Sequence, residues 1–112
     1  IEDEKLQKNA FRVGKFLKKE LDILSKKHPI LGSVRGQGFF LGVELNNYNK
    51  EPLTDKADYL INRMKSFGIL LSTDGPQNNV IKIKPPMILS INNAKLFLKY
   101  FASVLNEDFM KI

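Results

Sequence analysis

The stretch from Gly68 to Met87 constrains the fold most, because it contains two short apolar segments separated by a turn and followed by an abrupt stop. Residues 69–71 are apolar, and residues 72–79 are rich in Asp, Gly, Pro and Asn, which favour turns. Residues 80–84 alternate in the manner of a strand. The two prolines that follow cannot donate backbone hydrogen bonds and end it. The stretch therefore predicts a strand, a turn, a second strand and a stop.

The second of these strands places two lysines on one face. Ile81 and Ile83 point to one side, whereas Val80, Lys82 and Lys84 point to the other. Because the neighbouring turn is rich in backbone amides, this face is suited to hold an anion. A solvated strand face without a ligand explains the same pattern.

Another strand is predicted at residues 39–45, which alternate between the two faces. Gly36 and Gly38 come directly before it, a spacing that indicates a bulge or a close backbone approach. A dinucleotide-binding glycine loop is excluded because a strand follows instead of a helix. Arg35 precedes the glycines and is a candidate for substrate binding; a structural ion pair or simple exposure is the alternative.

Three amphipathic helices accompany the predicted strands. The first spans residues 1–27, with apolar residues at steps of three and four. The second begins with Thr54 as its N-cap and ends at Gly68, and the third opens at Ser90 or Asn92.

The resulting order is helix, strand, helix, strand, strand, helix. It predicts an α+β fold with a small, mainly antiparallel three-stranded sheet covered by helices on one side. Residues 1–112 are expected to form a single domain, with residues 106–112 fraying at the end.

Composition narrows the possible functions. The 18 Lys and Arg residues against 12 Asp and Glu give a net charge of +6, which permits a nucleic-acid or acidic partner. Cysteine is absent and His28 is the only histidine, so no metal site is predicted. The sequence contains no membrane span, signal peptide, nucleophile elbow or phosphate loop. We expect an intracellular protein, cytoplasmic or mitochondrial, and a cut or processed chain because Ile1 is not an initiator methionine.

Two motifs resemble a known family. RGQGF at residues 35–39 with GVEL at residues 42–45 resembles a strand motif of class III, fold-type I, pyridoxal-phosphate aminotransferases. Within that class, residues 70–76 (LLSTDGP) and 79–87 (NVIKIKPPM) are similar to phospho-lyases acting on ethanolamine phosphate or 5-phosphohydroxy-L-lysine. The resemblance extends from residue 1 to about residue 105.

The resemblance implies that the chain is the C-terminal small domain of a homodimeric enzyme. Its pyridoxal 5'-phosphate would be bound by the large domain of the same chain, so this segment has no catalytic and no cofactor-binding residue. The small domain would close over a small amino or phosphorylated amine substrate and be inert alone. Neither a membrane nor a nucleic-acid partner is expected.

Lys82 stands where many class III aminotransferases of α-amino acids carry an arginine that pairs with the substrate carboxylate. Lys82 and Arg35 are therefore the substrate-binding candidates. An ammonium is a point charge and lacks the arginine fork, which fits a substrate without an α-carboxylate, such as ethanolamine phosphate, and fits 5-phosphohydroxylysine less directly. The implied reaction is removal of the C1 proton, elimination of phosphate, and hydrolysis of the enamine to acetaldehyde and ammonia. An ordinary class III transaminase and a free-standing basic module that binds nucleic acid or an acidic partner are the alternatives.

Overall fold

The computed structural model describes residues 2–37, 40–84 and 90–111. Within these residues, three α-helices lie among four strands, and a short 3-10 helix follows the last α-helix. Their bounds are α1 Glu2–Lys27, β1 Leu31–Gln37, β2 Phe40–Leu45, α2 Thr54–Ser66, β3 Ser72–Asp74, β4 Val80–Ile83, α3 Ile91–Leu105 and the 3-10 helix Asp108–Met110.

The strands form one antiparallel sheet in the order β1-β2-β4-β3. The α+β class and the antiparallel sheet are confirmed, whereas the predicted count of three strands is wrong by one. The additional strand is β1, and its pairing with β2 shifts register between Leu31 and Val34. Gly32 and Ser33 lie at that irregularity and interrupt the apolar alternation that would have indicated a strand.

The strand predicted at residues 69–71 lies three residues too early. Those residues connect α2 to β3, and the pairing with β4 begins only at Ser72. Gly75 and Asn78 adopt left-handed conformations, with φ of +86° and +50°, in the turn that follows β3. The turn is thus shorter than predicted, because its first three residues already pair in the sheet. Strand β4 confirms the alternation; residues 85–87 of the predicted stop lie outside the described residues.

All three helices pack on one face of the sheet, as predicted, and the core lies between the two layers. Burial of apolar side chains supplies most of the stabilisation, at about 1.5–3 kcal/mol for each large side chain. The sheet contributes Val34, Leu41, Val43, Leu45, Ile81 and Ile83, and the helices contribute Val13, Leu17, Leu21, Ala57, Leu60, Met64, Phe97, Phe101 and Val104.

The helix ends follow the predictions in part. Ser90 caps α3 by accepting a hydrogen bond from the Asn93 N–H at 3.1 Å, and it is one of the two residues, Ser90 and Asn92, that were predicted to open this helix. Gly68 takes a φ of +82° just beyond α2, as a residue that terminates a helix often does. The prediction of Thr54 as N-cap is wrong, since Leu53 holds the cap position and the Thr54 hydroxyl donates to the Gln77 carbonyl instead.

The C-terminal segment does not fray as predicted. Its 3-10 helix packs on α2, and Met110 is only 1% exposed within the core. Arg63 and Tyr59 of α2 both donate hydrogen bonds to the Glu107 carboxylate. These contacts order the segment because they combine burial with charge-assisted hydrogen bonds.

Candidate functional site

The strand register aligns four residues in one row across the sheet. Arg35 is opposite Gly42, Gly42 is opposite Lys82, and Lys82 is opposite Ser72. Directly paired residues of antiparallel strands point to the same side, and this side faces away from the helices. We call it the open face. Its residues, none of them buried, are Arg35, Phe40, Gly42, Glu44, Ser72, Asp74, Val80 and Lys82.

Arg35 is bound to a carboxylate of the neighbouring strand. Its Nη2 donates to Glu44 Oε2 at 3.0 Å, and the other Glu44 oxygen accepts from Asn46 Nδ2 at 2.6 Å. The Arg35 side chain is nevertheless 71% exposed, and this bond uses one of its five N–H donors. The predicted ion pair is therefore present, while a role of Arg35 in substrate binding stays a prediction.

Lys82 has a different environment, because it contacts an aromatic ring. Its Nζ lies 4.4 Å from the centroid of the Phe40 ring, within the range of a cation–π interaction. Among the described residues, no carboxylate forms an ion pair with Lys82. The positive charge on this part of the open face is thus not neutralised by a neighbouring anion.

A glycine explains why β1 and β2 stay close enough for the Arg35 ion pair. Gly36 has a φ of +107°, and a Cβ at this position would lie 2.3 Å from the Phe40 carbonyl oxygen. Only glycine fits such a contact. The predicted close backbone approach is confirmed here, while Gly38 and Phe39 of the same motif lie outside the described residues.

An open groove of about 610 Å³ lies at the end of β4 next to α3. Lys82 and Lys84 line it, together with Leu96 and the rings of Phe67 and Tyr100, which stack with centroids 4.5 Å apart. Its size falls in the range of small-molecule sites. Lys82 lines the groove, but its ammonium lies over the ring of Phe40, which is not a lining residue.

The described residues do not fit pyridoxal phosphate, the cofactor that the resemblance implies. Asn79 is their only buried polar or charged residue, and its amide donates to the Leu45 carbonyl and to Asn46 Oδ1, both at 3.1 Å. No buried lysine lies near an aspartate in this part of the chain, so no reaction step is assigned to the cofactor from these residues. Across the same residues, no cluster of acidic and histidine side chains suits a metal ion, and no helix is long and apolar enough to cross a bilayer.

The contact between Phe40 and Lys82 could not be anticipated from the sequence. The two residues are 42 positions apart, and their proximity depends on the pairing of β2 with β4. Alternation indicates the face of each residue, but it contains no information on which strands are neighbours. The only indication in the sequence was an aromatic residue, Phe40, on the outer face of a predicted strand.

Comparison with known proteins identifies the family. The profile described as Aminotransferase class-III matches residues 1–105. An alanine–glyoxylate aminotransferase 2-like protein of Drosophila melanogaster is 44% identical over 94% of this chain and 22% of its own length. Ethanolamine-phosphate phospho-lyase homolog 1 of Caenorhabditis elegans is 40% identical over 83% of this chain and 21% of its own.

A solved structure shares the same fold. A phospholyase from Arthrobacter, in complex with phosphoethanolamine, superposes with a TM-score of 0.84 at 29% identity, over 93% of this chain and 25% of that one. The chain thus spans about a quarter of the length of these relatives. On the profile match and these identities, the chain belongs to the class III aminotransferase family.

Proposed function

We propose that the longer protein containing this chain is a pyridoxal-phosphate-dependent phospho-lyase that eliminates phosphate from phosphoethanolamine or phosphohydroxylysine. This chain would be its C-terminal small domain, which closes over the substrate beside the large cofactor-binding domain, within a homodimer. The phospho-lyase names among its relatives and the phosphoethanolamine complex of the Arthrobacter structure support this proposal. An intracellular location, cytoplasmic or mitochondrial, belongs to the same proposal.

The observation that carries the proposal is the position of Lys82 on the open face. Its ammonium has no carboxylate partner among the described residues, whereas the guanidinium of Arg35 is engaged by Glu44. A lysine binds phosphate as a point charge, but it lacks the two parallel donors that hold a carboxylate. This charge suits phosphoethanolamine, which has no α-carboxylate, better than an α-amino acid, and phosphohydroxylysine is itself an α-amino acid.

In this proposal, the chain binds and orients the substrate. Lys82 attracts the phosphate, and Arg35 lies two strands away, about 10 Å from it along the row. Gly42 stands between them without a side chain, which leaves space for a ligand above the sheet. Pyridoxal phosphate, held elsewhere in the protein, would supply the electron sink for the reaction.

The complete protein tests the proposal directly. Incubation with phosphoethanolamine should release inorganic phosphate and ammonia, and Lys82→Met should raise KM about ten-fold, as expected for loss of a hydrogen bond to a charged group. Lys50→Met, in an exposed loop, is the matched control and should leave KM unchanged. Amino transfer to a 2-oxo acid without phosphate release would reject the phospho-lyase assignment.

An ordinary class III transaminase is the second candidate, and the aminotransferase name of the 44% identical Drosophila relative favours it. Lys82→Arg discriminates between the two. In a transaminase the restored fork should preserve or increase activity on carboxylate substrates, because it matches their two oxygens. In a phospho-lyase it should create no such activity.

A further inference from the structure

We propose that Phe40 is a positioning residue, which directs the ammonium of Lys82 toward the substrate and away from a competing carboxylate. The inference rests on the proposed function insofar as it assigns Lys82 to the substrate phosphate. Its geometrical basis is the 4.4 Å distance between Lys82 Nζ and the Phe40 ring centroid.

The register explains how the two side chains meet. Lys82 pairs with Gly42, so Phe40 is its diagonal neighbour on the same face of the adjacent strand. The Lys82 side chain follows this diagonal to the ring. At Gly42 itself, an added Cβ would meet Val80 Cγ1 at 3.1 Å and no atom of Lys82.

The open face has two carboxylates, Glu44 and Asp74, that are alternative partners for this ammonium. Glu44 is already engaged, since one oxygen accepts from Arg35 and the other from Asn46. Asp74 is exposed and pairs with Val80, which makes it the diagonal neighbour of Lys82 on the opposite side, in β3. Diagonal neighbours are about 7–8 Å apart, within the reach of a long side chain.

The structure shows which direction the lysine takes. Lys82 contacts Phe40 and forms no ion pair with Asp74. An ammonium over a ring keeps its full charge for an anionic ligand, because the ring provides no formal negative charge. An ion pair with Asp74 would instead have to be broken before a phosphate could bind. Phe40 therefore keeps Lys82 available.

The test compares variants of the complete protein by KM and kcat for phosphoethanolamine. Phe40→Leu should raise KM about three-fold with kcat unchanged, which corresponds to loss of one exposed cation–π contact. Phe40→Tyr retains a ring and should restore the original KM. In Phe40→Leu combined with Asp74→Asn, KM should return toward the original value, because the competing charge is gone. Asp74→Asn alone should leave KM unchanged.

A crystal structure of Phe40→Leu provides a readout independent of catalysis. We expect Lys82 Nζ to move from the ring position toward Asp74, to within ion-pair distance. An ammonium that stays in place, or a KM that Phe40→Leu does not change while Lys82→Met raises it, would overturn the inference and leave the proposed function intact. If Lys82→Met also leaves KM unchanged, the role of Lys82 in the proposed function fails. In that case, the position of Lys82 Nζ in the crystal structure of Phe40→Leu alone tests whether Phe40 directs the ammonium.

Discussion

Two arginine–glutamate pairs show how differently the same chemistry is used in this molecule. Arg35 and Glu44 join adjacent strands on the open face through one hydrogen bond of 3.0 Å. Arg63 and Glu107 join α2 to the C-terminal segment through Nε to Oε1 at 2.9 Å and Nη2 to Oε2 at 2.8 Å, and Tyr59 donates to the same carboxylate. The first pair is open to solvent on its arginine side, with 71% exposure, against 37% for Arg63.

The Arg35–Glu44 pair belongs to a polar surface, whereas the Arg63–Glu107 pair joins two parts of the fold. A two-point fork with a third donor orders the segment that it holds, because each added bond restricts the geometry further. A single exposed contact is screened by water and contributes little to stability. We infer that the Arg63 pair stabilises the fold, whereas the Arg35 pair sets the charge pattern of the open face.

The largest effect is expected at the residue that the structural pair holds in place. Met110 is 1% exposed and belongs to the core, so Met110→Ala should lower the free energy of unfolding by about 3 kcal/mol. Urea denaturation of the 112-residue chain measures it. Lys111→Ala, next to it and 66% exposed, is the control and should change little. Equal stability of Met110→Ala and the parent would mean that the C-terminal segment frays after all.

An intermediate effect is expected in the dependence of stability on pH. The hydrogen bond from Arg63, and then that from Tyr59, lowers the pKa of Glu107 from 4.5 to about 2. A lowered carboxyl pKa stabilises the folded state above pH 4.5, and this contribution is lost as the pH falls toward 2. Glu107→Gln should therefore reduce the loss of stability over that interval. Glu44→Gln, in the open-face pair, is the matched control. The stability of this variant should still fall between pH 4.5 and about 2, because Glu107 is unchanged.

The same contrast explains what the sequence could and could not predict. Local patterns predicted the helices, the buried faces of β2 and β4, and Ser90 as one of two possible starts of α3, because each depends on residues a few positions apart. The ion pair of Arg35 was foreseen as one alternative and spans only nine positions. The Arg63–Glu107 pair spans 44 positions, and nothing in the polar C-terminal residues indicates their partner on α2. The predicted fraying failed for that reason.

The sequence did not predict strand β1, for a related reason. Gly32, Ser33 and Gly36 remove the alternation that marks a strand, and only the pairing with β2 makes the segment extended. The candidate site shows the same limit. Alternation predicted the face on which Lys82 lies, but its proximity to Phe40 and its common row with Arg35 required the strand order.

The smallest effect is expected for Arg35 itself. Arg35→Met should change the free energy of unfolding by less than about 0.5 kcal/mol, because the ion pair is exposed and single. Arg12→Met removes an exposed arginine of α1 whose Nη2 donates to Asn9 Oδ1 at 3.4 Å, and it should give a similarly small change. Arg63→Met should lower the urea midpoint more than either. If Arg35→Met were as destabilising as Arg63→Met, the open face would depend on its ion pair for its structure. Arg35 would then be a structural residue in the same sense as Arg63, and its candidacy for substrate binding would lose its basis.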